Sequence, residues 1–435
     1  MKDKSLTKSI TFNDFKKEIL NDYKTIVISR ETSLLGRKEV LSGKAKFGIF
    51  GDGKELPQIA MAKAFQRGDH RSGYYRDQTF MLALNEISVQ QIFSALYANT
   101  DLKKEPMSGG RQMGSHFMSN YIDEKGDFID STQKYNSSAD ISPTSGQMPR
   151  LLGLAMASKL YRDGSFNSKN FSNNGNEVAW GTIGNASTSE GPFFEVFNAA
   201  GVHQVPMIIS VWDDEYGISV NNSYQTTKSS ISKALHGFKR DKSNKGFEIY
   251  TVDGWDYQSL IQIYEHSSNF CRENHIPILI HVKNLTQPIG HSTSGSHERY
   301  KNKSRLEWEM KYDCNRKMRE WILDNNLSDL SKIEQIEKDC IEFVKSEKKA
   351  AWDNFQKDII VERDSFIKLI KSLVHQYKSK DLAEIANSLL RLKDLGRKDV
   401  MSAARRSLRL ENSSDFFEKI NNWVSDYKKN TQPLY

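Results

Sequence analysis

Hydrophobic positions in the middle of the chain follow two periods that together predict a βαβ unit. Residues 178–183 form a mostly apolar run typical of a buried strand, and the small residues at 184–186 form a turn. From Glu190 to Val202 the apolar residues recur at helical spacing. A second apolar run, at 205–211, stops at two aspartates. Because ligands collect at the carboxyl ends of parallel strands, a site is predicted where these two strands end.

The remaining pattern predicts one α/β domain followed by charged helices. Helical spacing of apolar residues predicts helices at 56–65, 89–97, 147–161 and 257–273. Two further apolar runs predict strands at 247–252 and 276–282, and a long loop is predicted at 102–145. The predicted fold class is α/β, with a parallel sheet flanked by helices and a C-terminal helical extension. The expected segments are an N-terminal helical segment at 1–45, the α/β domain at 46–305 and a helical extension or linker at 306–435.

Composition narrows the class of protein. The chain has 435 residues, of which 37% are hydrophobic, and no apolar run approaches the roughly 20 residues of a membrane-spanning helix. Its first residues lack an apolar signal core, so a cytoplasmic protein without a membrane partner is expected. Three widely spaced cysteines do not suggest a disulfide or zinc framework. The 62 basic and 55 acidic residues are mixed along the chain, so no nucleic-acid partner is expected.

Two polar residues that follow the central strands, Asn185 and Asp214, are candidate metal ligands. Magnesium takes oxygen ligands, commonly one or two carboxylates with substrate phosphates. The Asn185 amide, the Asp214 carboxylate and a backbone carbonyl near Tyr216 could form one face of such a site. Small neighbours would let a diphosphate approach the backbone: Gly184, Ala186 and Ser187. From these residues alone, a turn with a strand cap is the alternative interpretation.

Residues 184–219 resemble the thiamine diphosphate motif of the alpha subunit of the decarboxylating component of 2-oxoacid dehydrogenases, which begins with GDG and ends with NN-x-Y. The positions in register are Gly184, Ser189, Glu190, Gly191, Glu195, Asn198, Ala199, Ala200, Pro206, Tyr216, Ile218 and Ser219. Asn185 replaces the family's Asp, Ala186 its second Gly, and Asp213-Asp214 its NN. One carboxylate and one amide remain with their order exchanged. We interpret the metal site as preserved in swapped form, with a decayed non-catalytic paralogue as the alternative.

The chain also contains an actual GDG, at residues 51–53. It is predicted to be a structural turn before a helix, because no strand-ending Asn or Asp follows it at the matching distance.

Further stretches resemble the same family, so that the resemblance covers roughly residues 45–305. By the family's Y-R element, Tyr75 and Arg76 would hold the diphosphate, and an arginine fork suits phosphate geometry. Residues 110–113 followed by His116 are close to the GRQM-x-x-H of branched-chain enzymes. Ser142 and Thr144, in the segment before a small-residue helix, would touch the aminopyrimidine.

The last stretch, residues 290–294, is similar to the GHS-x-S loop that closes over the cofactor. His291 would lie beside the reacting carbon and serve positioning, proton transfer and the lipoyl step, with His116 as a second candidate in the same pocket. The family's Asp after the second Ser is Gly295 here, and its later Y-R is Tyr300-Lys301. These departures leave loop ordering and phosphorylation control open.

The resemblance implies an enzyme: an oxidoreductase that decarboxylates a 2-oxoacid with thiamine diphosphate and Mg²⁺ and passes the acyl unit to a lipoyl group. Branched-chain 2-oxoacids are favoured over pyruvate. Implied partners are a beta-type pyrimidine-binding subunit, or a fused second half, and a lipoyl-bearing acyltransferase, with a heterotetramer as the expected assembly. Whether the chain is a natural subunit or part of a fused protein stays open, as does the role of the C-terminal helices. A non-catalytic assembly module and a transketolase-like enzyme are the alternatives.

Overall fold

A computed structural model describes residues 11–410 and 413–434. The strands within these residues are β1 (His70–Ser72), β2 (Asn136–Ser137), β3 (Ala179–Gly184), β4 (Met207–Trp212), β5 (Tyr216–Gly217), β6 (Val220–Asn221), β7 (Glu248–Asp253) and β8 (Ile278–Lys283). The first helices are α1 (Phe12–Leu41), α2 (Glu55–Ala64), α3 (Gln78–Ala83), α4 (Val89–Leu96), α5 (Met148–Arg162), α6 (Gly191–His203), α7 (Ile231–Ala234) and α8 (Tyr257–Asn274). Those that follow are α9 (Lys303–Lys311), α10 (Cys314–Asp324), α11 (Leu330–Tyr377), α12 (Lys380–Leu390), α13 (Arg397–Ser407) and α14 (Ser414–Thr431).

A parallel sheet in the order β2-β1-β3-β4-β8-β7 organises the first part of the chain, and β5 and β6 form a separate antiparallel pair. Side chains of β3 and β4 are almost fully buried because helices cover both faces of a parallel sheet. Helix α6 contributes Phe193, Val196 and Phe197 to the core beneath it. The rings of Phe197 and Phe247 stack with centroids 3.7 Å apart.

The predicted βαβ unit is confirmed, with each element starting within a residue or two of its expected place. The predicted fold class is also confirmed. Two strands of the parallel sheet are additional, however: β1 lies in a stretch expected to hold turns and helix, and β2 lies in the predicted loop at 102–145. Both are too short and too polar to show an alternating pattern. Each is a strand only through its pairing: β2 with β1, and β1 with β2 and β3.

The chain divides into two compact units. Among the described residues, the first comprises those from 11 to 41, Phe47–Val89 and Ser115–Lys345, and it contains the sheet. The second comprises Ser42–Lys46, Gln90–Gly114 and the residues from Ser346 onward. Its helices bury their own apolar cluster, in which Phe366, Ile370, Leu382, Val400, Phe416 and Ile420 are almost inaccessible to solvent. The predicted division at residues 45 and 305 stays a prediction.

Part of the expected N-terminal helical segment, residues 1–10, lies outside the described residues, as do 411–412 and 435. Within the residues that the structure describes, no helix combines the length and the apolar character that crossing a membrane requires.

The sheet register brings the ends of three strands to one edge. Gly184 is paired with Trp212, and the backbone N–H of Asn185 donates to the Trp212 carbonyl at 3.1 Å. The Asp213 amide donates in turn to the Val282 carbonyl of β8 at 2.9 Å. The turn after β3, the aspartates after β4 and the loop after β8 therefore leave the sheet side by side, as the sequence predicted for the first two.

Candidate active site

The two aspartates that follow β4 have different surroundings. Asp213 accepts a hydrogen bond from the Glu215 amide at 2.8 Å, and its Oδ2 lies 2.7 Å from His281 Nε2. The His281 ring is fixed on its other side by Ser232, at 2.8 Å. Asp213 is therefore committed to a network with β8, and Asp214 is the carboxylate that faces the candidate site.

Asp214 is almost fully buried and lies beside cations. Its Oδ2 is 2.9 Å from the Lys54 ammonium, and its Oδ1 accepts from the Tyr216 amide at 3.2 Å. Arg305 donates to the Asp214 backbone carbonyl at 2.9 Å. Burial alone would raise the pKa of Asp214, but the charge of Lys54, with smaller contributions from Lys301 and others, lowers it below its usual value. Asp214 is thus an ionised carboxylate held by a buried lysine.

The turn after β3 is shaped by close contacts with its neighbours. A Cβ atom at Gly217 would lie 2.5 Å from the Ala186 Cβ, so only glycine fits against this turn. A Cβ at Gly184, by contrast, would meet only ordinary van der Waals contacts, at 3.7 Å from the Tyr74 hydroxyl and 3.9 Å from the Ser187 hydroxyl. The Asn185 side chain is buried, and its Nδ2 lacks a hydrogen-bond partner among the described residues. A buried amide without a partner is costly, which is typical of a group that awaits a ligand.

Arg76 joins the predicted diphosphate element to the loop after β8. Its guanidinium donates to the Phe50 carbonyl at 2.6 Å, to the His291 carbonyl at 2.9 Å and to His291 Nδ1 at 3.0 Å. Arginine can only donate, so Nδ1 is the accepting nitrogen of His291 and Nε2 carries the proton. Burial, followed by the charge of Arg76, lowers the pKa of His291 to about 4. His291 is therefore a neutral imidazole at physiological pH.

A fully buried ionic network lies directly beneath this element. Arg71 donates to the Asp77 carboxylate at 2.6 and 2.8 Å and to Asp140 at 3.0 Å. It also donates to the Tyr74 backbone carbonyl at 3.1 Å. The Trp212 indole donates to Asp77 at 3.2 Å and thereby links the network to the end of β4. These contacts fix the backbone from which the side chains of residues 75 and 76 project.

His116 and Ser142 form a second cluster, in which His116 Nε2 lies 3.0 Å from the Ser142 hydroxyl. The His116 ring lies 6.3 Å from the Tyr75 ring, and Tyr75 in turn lies 5.4 Å from the Arg76 guanidinium carbon. Tyr75 thus connects the two predicted histidines through packed side chains. Thr144 is exposed and donates to Glu190 at 3.2 Å.

The loop that carries His291 is tied to the rest of its unit by several hydrogen bonds. The Thr293 amide and hydroxyl bond to the Gly48 backbone, each at 3.0 Å. Arg37 donates to the carbonyls of Ile289 and Ser292 at 2.8 and 3.1 Å. The Ile289 amide donates to the buried Asp52 carboxylate at 3.0 Å. His291 therefore has a defined position beside Arg76.

A family model for the dehydrogenase E1 component matches residues 23–359 and so spans both the sheet and the site. The chain belongs to this family. Among its relatives, the 2-oxoisovalerate dehydrogenase alpha subunit of Bacillus subtilis is 27% identical over 301 residues, covering 68% of this chain and 79% of the relative. The pyruvate dehydrogenase E1 alpha subunit of Rickettsia bellii is 25% identical over 199 residues, covering 46% of this chain and 55% of the relative. The mitochondrial pyruvate dehydrogenase E1 alpha subunit of Dictyostelium discoideum is 23% identical over 296 residues, covering 66% and 65%.

Membership in the E1 component family confirms the predicted resemblance, and with it the thiamine diphosphate-binding α/β fold. The roles assigned to single residues of this E1 component stay predictions.

The side chains at this site of the E1 component fit a magnesium ion only if its oxygen ligands are of different kinds: a carboxylate, a side-chain amide and a backbone carbonyl. Within the described parts of the chain, no group of three or more His, Cys, Asp or Glu side chains is arranged to hold a metal. Asn185 has a buried side chain with an amide oxygen directly after β3, and Asp214, an ionised carboxylate, comes two residues after the end of the paired strand β4. Together with a backbone carbonyl at Tyr216, these are ligands of the type that magnesium takes.

Lys54 is the residue of the site that sequence reasoning missed. It follows the GDG turn at residues 51–53, which is a turn before a helix as predicted. The prediction of a purely structural role for this turn is incomplete, because the turn places Lys54 against Asp214. No motif signals this contact, since 160 positions separate the two residues. The one available signal is a charged residue just before the predicted helix at 56–65.

Proposed function

We propose that the chain is the alpha-type part of a 2-oxoacid dehydrogenase decarboxylating component and forms the diphosphate and metal half of its active site. The observation that supports this function best is that Asn185 and Asp214 follow the ends of the paired strands β3 and β4, while Arg76 contacts His291 in the loop after β8. Bound thiamine diphosphate would supply the electron sink that makes loss of carbon dioxide from a 2-oxoacid feasible. The substrate would be a 2-oxoacid and the acceptor a lipoyl group.

In this proposal the side-chain oxygen of Asn185, the Asp214 carboxylate and the Tyr216 backbone carbonyl would hold Mg²⁺. The turn formed by Gly184, Ala186 and Ser187 offers backbone donors to the diphosphate. Arg76 has guanidinium N–H groups beyond those that hold Phe50 and His291, and these are its means of binding phosphate oxygens.

The two histidines have separate roles in the proposal. His291 donates from Nε2, because its Nδ1 accepts from Arg76, and its low pKa keeps it neutral while it orients the substrate. Proton transfer at Nε2 would require Arg76 to turn toward the diphosphate, since this removes a positive charge from the imidazole. His116, bonded to Ser142, would contact the aminopyrimidine side of the cofactor.

Branched-chain 2-oxoacids are the proposed substrates. The 2-oxoisovalerate dehydrogenase relative is 27% identical over 301 residues, against 23% over 296 residues for the Dictyostelium discoideum pyruvate dehydrogenase relative. The GRQM and GHSTS sequences favour the same class. The proposed partners are a beta-type subunit or second half, which completes the pyrimidine side, and a lipoyl-bearing acyltransferase. A heterotetramer is the proposed assembly.

The test is a turnover assay on the full chain purified with its co-purifying partner. Reduction of 2,6-dichlorophenolindophenol is followed with 2-oxoisovalerate or pyruvate, with and without added thiamine diphosphate and Mg²⁺. We expect cofactor-dependent turnover that is faster with 2-oxoisovalerate and falls by about a hundredfold or more in His291→Ala. The matched control is His266→Ala, an exposed histidine on α8 that contacts Tyr250.

The Lys54–Asp214 ion pair is the observation that favours the second candidate, a non-catalytic assembly module, because it occupies a proposed metal ligand. Cofactor binding without turnover of any 2-oxoacid in the complete complex would select that module. Turnover with an aldehyde acceptor, but not with a lipoyl acceptor, would select a transketolase-like enzyme.

A further inference from the structure

Lys54 is a buried cation at the position proposed for a metal. Its side chain is 2% exposed, and its ammonium lies 2.9 Å from Asp214 Oδ2 and 3.0 Å from the Thr286 carbonyl. Buried lysines are rare and need partners, and Lys54 has its charged partner in Asp214. A divalent ion that used this oxygen would have to displace the ammonium, because two cations repel each other strongly at such short range.

The chain places Lys54 there through the turn that precedes α2. Gly53 has φ +79°, and a Cβ at this residue would lie 2.0 Å from the Thr286 carbonyl oxygen. Only glycine allows this approach. The backbone of Lys54 is thereby held against the loop after β8, and its side chain reaches the residue that follows β4. The contact is a consequence of the tight turn and not of a freely mobile surface lysine.

Asp52, two residues before Lys54 in the chain, is a second carboxylate that could pair with this lysine. Asp52 is fully buried; its Oδ2 accepts from the Ile289 amide at 3.0 Å, while its Oδ1 has no hydrogen-bond partner in the described part of the chain. A buried carboxylate oxygen without a partner is costly. Burial raises the pKa of Asp52, and the charge of Lys54 is the first that opposes this rise, so a lysine that left Asp214 has Asp52 as a second carboxylate.

We propose that Lys54 and a divalent metal ion exclude each other at Asp214, and that metal binding moves the Lys54 ammonium from Asp214 to Asp52. Asp52 Oδ1, which has no hydrogen-bond partner among the described residues, gains the lysine in this exchange, while Asp214 and the side-chain oxygen of Asn185 bind the metal. Lys54 is thus a positioning residue that sets metal affinity. The inference rests on the proposed function, since it uses the metal ligands proposed there.

The experiment measures metal affinity directly, without turnover. The full chain is stripped of metal with EDTA, and Mn²⁺ is titrated while the signal of free Mn²⁺ is followed by electron paramagnetic resonance. We expect Lys54→Met to bind Mn²⁺ about tenfold or more tightly than the unaltered chain, within the range typical of coupling between two ligands. We expect Asp52→Asn to bind it more weakly, because the displaced lysine then lacks a charged partner.

Lys63→Met is the matched control. Lys63 lies on the same helix and pairs with Asp22, so the substitution removes the same charge away from the site and is expected to leave Mn²⁺ affinity unchanged. Lys54→Gln provides a second variant should the methionine variant unfold. The gain in Lys54→Met must vanish when Asp214→Asn is added, which shows that Asp214 is the ligand.

Unchanged Mn²⁺ affinity in a folded Lys54→Met or Lys54→Gln variant would overturn the inference. Binding of thiamine diphosphate, measured by calorimetry on the unaltered chain with its partner, separates this outcome from failure of the proposed function. Normal cofactor binding with no effect of Lys54 refutes the exchange alone. Absent cofactor binding refutes the proposed function, whatever the Mn²⁺ titration gives.

Discussion

Removing the buried guanidinium of Arg71 is expected to destabilise the first unit strongly. The side chain is fully buried and neutralises two carboxylates that are also fully buried, Asp77 and Asp140. Arg71→Met keeps much of the apolar volume but leaves both carboxylates without their cation. Breaking a buried ion pair in this way costs about 3–5 kcal/mol of the free energy of unfolding. The urea midpoint is expected to fall by roughly 1–2 M.

The loss should depend on pH, and its sign follows from the carboxylates. Burial raises the pKa of Asp140, and the charge of Arg71 opposes that rise. Without Arg71 the pKa of Asp140 in the folded protein rises further. At pH values above the usual pKa of aspartate, the folded protein then binds more protons than the unfolded chain does. Stability then falls as pH increases. Arg71→Met should therefore lose more stability at pH 8 than at pH 5.

Urea unfolding of the full chain, followed by tryptophan fluorescence, measures this loss. Trp212 reports on the network directly because its indole donates to Asp77. Arg319→Met is the control: Arg319 is 31% exposed and pairs with Glu337, and surface pairs contribute about 0–1 kcal/mol. A loss below about 1 kcal/mol in Arg71→Met, or a loss equal at both pH values, would refute the assignment of Arg71 as the neutralising charge.

Two further predictions concern the site itself. Arg76→Met should raise the pKa of His291 from about 4, because the charge of Arg76 is the second cause of the depression after burial, and an NMR titration that does not move would contradict this contact. Gly217→Ala should weaken thiamine diphosphate binding in calorimetry, because the new Cβ would lie 2.5 Å from Ala186, whereas Gly237→Ala, with nothing within 4 Å, should bind normally. Equal binding by both alanine variants would show that the turn tolerates the displacement.

The long apolar segments of this chain were predictable because their buried residues recur with the period of a strand or a helix over neighbouring positions. Strand β3, helix α6 and strand β4 lie close to their predicted places since each buries a continuous run or a helical stripe. Strand β1 was not predictable in this way. It has three residues, and its place in the sheet depends on partners more than sixty positions away.

The residues of the candidate site also divide into those that the sequence predicts and those that only contacts between distant positions bring together. Family motifs in the sequence group Asn185, Asp214, Arg76 and His291, because these residues occupy fixed places in the E1 pattern. No motif describes Lys54, which reaches Asp214 only because Gly53 packs against the loop after β8. The different roles of Asp213 and Asp214 likewise depend on His281, which bonds to Asp213. His281 lies inside a strand that the sequence predicted only from its apolar residues. Tertiary contacts of this kind leave no local period.

The swapped ligand pair offers the last prediction, and Lys54 sharpens it. If one carboxylate and one amide suffice for the metal, Asn185→Ala should abolish metal-dependent binding of thiamine diphosphate, because it removes the buried amide. The double exchange Asn185→Asp with Asp214→Asn should largely restore binding, because it keeps the same charge in the opposite order. Calorimetry in the presence of Mg²⁺ or EDTA measures both variants.

The double exchange also separates the carboxylate from Lys54, whose ammonium lies 2.9 Å from Asp214 Oδ2. A metal bound by the carboxylate that Asn185→Asp introduces would no longer compete with this lysine for the same oxygen. Mn²⁺ should therefore bind the double exchange more tightly than the unaltered chain, because the now unpaired Lys54 pairs with Asp52 instead. If the double exchange binds cofactor no better than Asn185→Ala, the two positions are not equivalent and the order of carboxylate and amide matters to the site.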